Sequence, residues 1–302
     1  MVTAAAQDVK IEGKNIKLSN LDKLIWPEGL TKAHLIKYYT DIAPYLLPYI
    51  KDRPLVMKRY PNGIEGDFFY QKECPDYAPE WLKTIPIRHS DKVVNYITCE
   101  DIATLVWLAN QGCIEIHAWL SKLNQIEYPD IAILDLDPGE QASFQHVLEV
   151  ALVIKKVLDH LKLRGYPKTS GATGIHIFIP LRPVFSFGQV TKAMGLIAKA
   201  VADTFSEKAT IERTVAKRDP QKVYVDYLQN TRGKSMAWTY GLRPLPGAPV
   251  STPVMWEEIE KFSFLPGDFN LHTIFKRLKY FGDLHRDLCQ NPQDISRVLK
   301  LV

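Results

Sequence analysis

Two aspartates, Asp135 and Asp137, stand two residues apart inside the aliphatic run AILDLDPGE (132–140). In an extended strand residues i and i+2 point to the same face, so the two carboxylates would sit side by side and repel unless a cation or a proton intervened. A third acid, Asp226, interrupts another β-rich run, KVYVDYLQN (222–230). Taken singly, an aspartate in a strand also reads as an edge or turn residue, because the type is disfavoured in strand interiors. The Asp135 and Asp137 pair shifts that balance, because hard oxygen ligands with strand geometry suit Mg²⁺ or Mn²⁺, which bind one or two carboxylates and fill their shells with water and substrate phosphates. Two such ions would serve an in-line phosphoryl displacement.

A second signal is SGATGIH (170–176). Gly171 and Gly174 permit positive φ and close backbone approach, Ser170 brings a hydroxyl and His176 an imidazole, a set suited to phosphate oxygens. The same segment by itself also reads as a glycine-containing hairpin turn. Lys58 and Arg59 at the end of PLVMKRY, and Arg243 in GLRPLPG, would neutralise a triphosphate, or else are solvated surface bases. His117, in EIHAW, is a half-buried histidine that shares a strand face with Glu115 and is a candidate for the same cleft.

The elements that must position these groups are legible from periodicity. Residues 31–50 start at Thr31 and place Leu35, Ile36, Tyr39, Ile42 and Leu46 at helical spacing. A strand is expected over 54–60, ending at the turn PNG, and a short helix over 101–112, opened by Asp101 and stopped by Gly112. The strands CIEIHAW and IAILDLD follow, then a helix over about 142–163 with Val147, Val150, Ala151, Ile154, Val157, Leu158 and Leu161 in one stripe. Strand, glycine turn and strand are expected over 166–181 and a second amphipathic helix over 187–207. This order predicts an α+β fold with a central, mostly antiparallel or mixed sheet flanked by helices, the last 50 residues being mostly helical and peripheral.

Composition sets the outer limits. The 302 residues are 46% hydrophobic, enough for a well-filled core, and no apolar run approaches the roughly 20 residues that span a bilayer. The N-terminus has no secretory pattern, so a soluble cytosolic protein without membrane attachment is expected. Four scattered cysteines lack CxxC spacing, which argues against a zinc ribbon or a disulfide framework. Net charge is only +4, yet basic residues gather in KDRPLVMKRYPNG, AKRDPQK and TRGKS, which fits either a polyanionic partner or a solvated basic face.

DLDPGE, SGATGIH and VYVDYLQN, in this order and spacing, make the chain similar to the polymerase domain of bacterial and archaeal ligase D, a member of the archaeo-eukaryotic primase superfamily in non-homologous end joining. The likeness runs from LSNLDKLIWPEGLTKAHLIKYY through RPLVMKRYPNGIEGDFFYQK to WEEI near 258. It implies one primase-polymerase domain over 1–302, with a 5′-phosphate-binding portion in 1–50, a catalytic core in 51–250 and a helical extension in 251–302. Asp135, Asp137 and Asp226 then match catalytic metal ligands for two Mn²⁺ or Mg²⁺ ions. Ser170, Gly171, Gly174, His176, His117, Lys58 and Arg243 match the binders of the incoming NTP or dNTP. Lys23 and Lys32 match the lysines that hold a 5′-phosphate at a gap, break or overhang, and Phe68 and Phe69 match an aromatic pair abutting the template, although ordinary core packing is the plainer reading of two phenylalanines. Lys217 and Arg218, in AKRDPQK, match a loop near the primer or synapsed end.

The resemblance further implies a preference for ribonucleotides and manganese, Ku and a DNA ligase as partners, and a nucleoid-associated location in a prokaryotic cytoplasm. One departure is Thr173, where family members often carry a lysine, which puts nucleotide affinity in doubt more than the chemistry. Chain initiation as a primase stays open. Two rival readings are a haloacid-dehalogenase-type phosphatase, whose first motif also reads aliphatic strand then DxD, and a DNA end-bridging module without activity. Pro138 and Gly139 after the second aspartate do not follow the phosphatase pattern, and three intact aspartates argue against a decayed site.

Overall fold

The computed structural model describes residues 6–301. In chain order, the hairpin β1 (Gln7–Ile11) and β2 (Lys14–Leu18) precedes the short pair β3 (Leu24–Trp26) and β4 (Leu30–Thr31) and helix α1 (Lys32–Ile50). Then come β5 (Leu55–Arg59), β6 (Phe69–Gln71), the hairpin β7 (Thr84–Arg88) and β8 (Val93–Ile97), α2 (Ile102–Asn110) and β9 (Cys113–Trp119). They are followed by β10 (Ile131–Pro138), α3 (Phe144–His160), β11 (Tyr166–Thr169), β12 (Ile175–Pro180), α4 (Phe187–Thr204), β13 (Ala209–Thr210), β14 (Val223–Asp226) and β15 (Ser235–Ala237). Three short helices close the chain, α5 (Trp256–Glu260), α6 (Ile274–Phe281) and α7 (Ser296–Leu299). Helices and mixed sheets make this the expected α+β class.

The chain divides into two units, one running up to Trp119 and including Ser235–Val250, the other covering Leu120–Lys234 and the chain from Ser251 onward. The first holds a four-stranded antiparallel sheet in the order β15-β9-β5-β6. In it, α2 opens where the Asp101 side chain accepts a bond from the Thr104 N–H at 2.8 Å, and both the helix and β9 are almost wholly buried.

The second unit holds a five-stranded mixed sheet, β11-β12-β10-β14-β13, antiparallel except for the last pair. Alternation sorts its side chains. Ala132, Leu134 and Leu136 of β10, Ile175, Ile177 and Ile179 of β12, and Val223 and Val225 of β14 pack against the apolar stripes of α3 and α4. That leaves Asp135, Asp137, His176 and Asp226 on the opposite face. The helices begin where expected, Ser143 and Ser186 accepting N–H bonds from His146 and Gln189, each at 3.3 Å.

The last 50 residues depart from expectation. Among the described residues, α-helix covers only three short stretches of them, with one 3₁₀ turn at Pro266–Asp268, because Pro253, Pro266, Gly282 and Pro292 break up the runs. Nor are they peripheral, since Val254, Ile259, Phe264, Phe269, Ile295 and Val298 belong to the same core as the sheet.

Candidate active site

Register places the acids. Asp135 of β10 lies directly opposite Asp226 of β14 on one side and His176 of β12 on the other, and His176 is opposite Lys168 of β11. One row of four ionisable side chains therefore crosses four strands on the face away from the helices. His176 Nε2 approaches Asp135 Oδ1 at 3.2 Å. Asp135 and Asp226 are buried, whereas Asp137, at the strand's end, is exposed.

Asp226 is held by its surroundings. It accepts bonds from the Leu228 N–H at 2.8 Å, the Gln229 amide at 2.9 Å and the Tyr224 hydroxyl at 3.4 Å. Burial, helped by the charge of Asp135, nevertheless pushes its carboxyl above the ordinary value. Two carboxylates crowded in this way are what a divalent cation relieves, and their oxygens are the hard donors that Mg²⁺ or Mn²⁺ prefer. Among the described residues no group of three or more His, Cys, Asp or Glu is arranged so as to hold a metal ion.

The glycine turn is built for position. Ser170 is buried and its Oγ accepts from the N–H groups of Ala172 and Gly174, both at 3.0 Å, which leaves the hydroxyl hydrogen to donate elsewhere. Gly171 has φ +75°. Gly174 is required for a different reason: a Cβ there would lie 2.2 Å from the Leu136 carbonyl oxygen, so β12 reaches β10 this closely only with glycine. Its role is to seat His176 beside Asp135. Thr173 is exposed.

Lys58, His117 and Arg243 meet in the first unit on one buried carboxylate, Glu115. Lys58 Nζ lies 2.7 Å from Glu115 Oε1, and His117 Nε2 and Arg243 Nε lie 3.0 and 3.2 Å from Oε2. Burial alone would raise the Glu115 carboxyl, but the His117 bond, the Arg243 charge and Lys58 outweigh it and hold it at about 2. Glu115 thus keeps its charge and fixes three cationic or imidazole groups in place. The spacing in CIEIHAW showed that Glu115 and His117 share a face; the pairing of Lys58 with Glu115 across β5 and β9 was not visible in the sequence.

An aromatic surface adjoins this cluster. Phe68 and Phe69 are 51% and 44% exposed, which overturns the core reading of the pair. Phe68 stacks on Tyr60 at 5.3 Å with Lys58 Nζ 4.5 Å above its ring, and Tyr70 meets His117 edge-on at 6.0 Å. Arg59 does not join the cationic set: its donors go to Gln111, Gln71 and Tyr77, and it lies over Phe69. Lys23 and Lys32 are brought together by the Lys32 N–H bond to the Lys23 carbonyl at 2.8 Å. Lys32 is buried, its ammonium bonded to the Asn110 carbonyl at 2.9 Å. Burial and the nearby Lys23 charge lower it to about 8. In the second unit, Lys217 is exposed and Arg218 half-buried, with the Arg218 guanidinium 3.7 Å above the ring of Tyr224, which lies two residues before Asp226 on β14 and opposite Asp137 of β10.

A family model described as LigD, primase-polymerase domain, matches residues 31–285. The bifunctional non-homologous end joining protein LigD of Bacillus subtilis (strain 168) is 34% identical over 281 residues, 92% of this chain and 45% of that protein. The multifunctional non-homologous end joining protein LigD of Mycolicibacterium smegmatis is 31% identical over 275 residues, 90% of this chain and 36% of that protein. The chain therefore spans less than half the length of these curated relatives. Among solved structures, the polymerase domain from Mycobacterium tuberculosis ligase D in complex with DNA superposes with a TM-score of 0.83 at 26% identity, covering 92% of this chain and 99% of that one.

Proposed function

The chain belongs to the family of LigD primase-polymerase domains, and on that premise we propose that it is a template-directed nucleotidyltransferase that fills gaps and extends ends in non-homologous end joining. The observation that carries this reading is the acid row itself: Asp135 faces Asp226 across the sheet while Asp137 projects, exposed, from the same strand face. A phosphatase of the haloacid-dehalogenase type is set aside by the family match.

In this reading Asp135, Asp137 and Asp226 would hold two divalent cations, Mn²⁺ by preference or Mg²⁺, which when bound supply Lewis-acid neutralisation of charge on phosphate oxygens. The primer 3′-hydroxyl attacks the α-phosphate of the incoming nucleotide and pyrophosphate leaves. His176 orients Asp135 and, with the Ser170 hydroxyl, donates to phosphate oxygens. Lys58, His117 and Arg243, preset on Glu115, serve the triphosphate; Lys23 and Lys32 take the 5′-phosphate, and Phe68 and Phe69 abut an unstacked template base. Lys217 and Arg218 contact the primer or a second end. Ribonucleotides are the favoured substrates, and Ku and a DNA ligase the partners that present and seal the ends.

The test is extension of a labelled primer across a short gap with a downstream 5′-phosphate, in Mn²⁺, with ribonucleotides and with deoxyribonucleotides. Template-directed addition that disappears in Asp135→Ala, while gapped DNA still binds, supports the reading. Undiminished addition by the variant would remove Asp135 from the chemistry; binding without addition by the wild type would leave an end-bridging module.

A further inference from the structure

Outside the sheets that carry these clusters, α6 presents an unusual surface. Residues 269–282 (FNLHTIFKRLKYFG) contain no acid and four basic or imidazole side chains, His272, Lys276, Arg277 and Lys279. The helix buries Ile274 and Leu278. Lys276, Lys279 and Tyr280 are then related by steps of three and four residues and share one face, and all three are exposed. Neither lysine has a carboxylate partner among the described residues. Tyr280 is 81% exposed, the most exposed aromatic side chain among the described residues.

This ring is not a loose tail. Its edge contacts Phe281, ring centres 4.6 Å apart at 77°. Phe281 in turn lies under the Arg277 guanidinium at 4.9 Å, and Arg277 is locked by two bonds to Glu258, at 2.8 and 2.6 Å, and by the Pro253 carbonyl. A large apolar ring is thus held out into solvent beside two unpaired ammonium groups, on a scaffold fixed to the core by a bidentate ion pair.

We propose that this face of α6 is a contact surface for single-stranded nucleic acid, Tyr280 stacking on an unpaired base while Lys276 and Lys279 neutralise the flanking phosphates. The charge pattern selects this occupant. A strand supplies one phosphate per nucleotide and a π-face on every base, meeting both features at once, whereas a protein partner would have to bring carboxylates for both lysines and a pocket for the ring. Duplex DNA, whose bases are already stacked on one another, leaves Tyr280 without a partner. The inference does not depend on the polymerase reading, and the surface would serve to hold an overhang or displaced strand.

The experiment uses the whole chain and a fluorescein-labelled oligo-dT, with binding followed by anisotropy over a range of salt. Tyr280→Ala is expected to weaken binding about tenfold and Tyr280→Phe to leave it nearly unchanged. The double variant Lys276→Glu, Lys279→Glu is expected to lower the slope of log affinity against log salt by about 1.4. As a direct readout, oligo-dT carrying one 5-iododeoxyuridine should photo-crosslink to the peptide containing Tyr280. Unchanged affinity and slope in these variants, with the crosslink elsewhere, overturn the proposal; so does a change confined to self-association, which would make the face a protein interface. Gap extension on a substrate without single-stranded flaps separates the two readings: a chain that binds oligo-dT through Tyr280 but adds no nucleotide keeps this surface and loses the polymerase assignment.

Discussion

Lys32 is a buried lysine whose hydrogen-bond partners, the Asn110 carbonyl and the Ser19 hydroxyl at 3.4 Å, carry no negative charge. Burial and Lys23 bring its proton affinity down to about 8, so the ammonium is poorly stabilised until an anion arrives. The sign of the consequence follows. A bound phosphate favours the charged form and raises the folded value again, so the benefit of the phosphate is complete below about 8 and declines as pH rises through that value. If Lys32 makes the proposed contact, the ratio of gapped-DNA affinities with and without a 5′-phosphate should therefore be largest near pH 7 and decline toward pH 9.5, to the share that the other proposed contacts supply. A ratio constant over that range would mean that Lys32 does not make the contact. Residue types at this scale were readable in advance: Asp135, Asp137 and Asp226 declared themselves as acids out of place in apolar strands. Glu115 did not, because its importance lies in three partners drawn from distant parts of the chain.

At the scale of elements, the position of β10 decides where Asp135 and Asp137 stand. β14 pairs with β10 only from Asp135 to Pro138, so the Ile133 backbone needs another partner on that side. Buried Asn230 supplies it: its Oδ1 accepts from the Ile133 N–H at 2.8 Å and its Nδ2 donates to the Ile133 carbonyl at 2.7 Å. One side-chain amide thereby stands in for a residue of strand. Asn230→Leu should leave both groups unsatisfied and cost about 2–5 kcal/mol, seen as a lower urea midpoint at unchanged slope. A variant within about 0.5 kcal/mol of wild type would show that water replaces the amide. VYVDYLQN announced a strand and an acid; that its last residue caps a neighbouring strand depends on a separation of 97 residues in sequence.

For the molecule as a whole, the segment after Val250 is part of the fold's core. It contributes six buried apolar side chains, Val254, Ile259, Phe264, Phe269, Ile295 and Val298, to the cluster beneath the five-stranded sheet. Thr252 and Val254 also exchange backbone bonds with Thr169 and Pro167 on the outer side of β11. Ending the chain at residue 250 should therefore remove cooperative unfolding and near-ultraviolet dichroism, rather than trim an accessory. A truncated chain that still melts in one sharp transition would refute this account. The expectation of a peripheral helical tail failed because proline and glycine divide the segment into pieces too short for a periodic signal, while burial of each piece comes from contacts far along the chain.

The sequence by itself determined the α+β class, the approximate bounds of α1 to α4, the strands that carry the acids and the identity of the three aspartates. These follow from local pattern, since side-chain alternation and capping residues act within a few positions. Only the tertiary structure decided that Asp135 lies opposite Asp226 and beside His176, that Lys58, His117 and Arg243 share Glu115, that Phe68 and Phe69 face solvent, and that Tyr280 projects beside unpaired lysines. Each of those depends on strand register or on which side of an element finds a partner. Both are set by the packing of segments remote in sequence, where no local spacing carries the information.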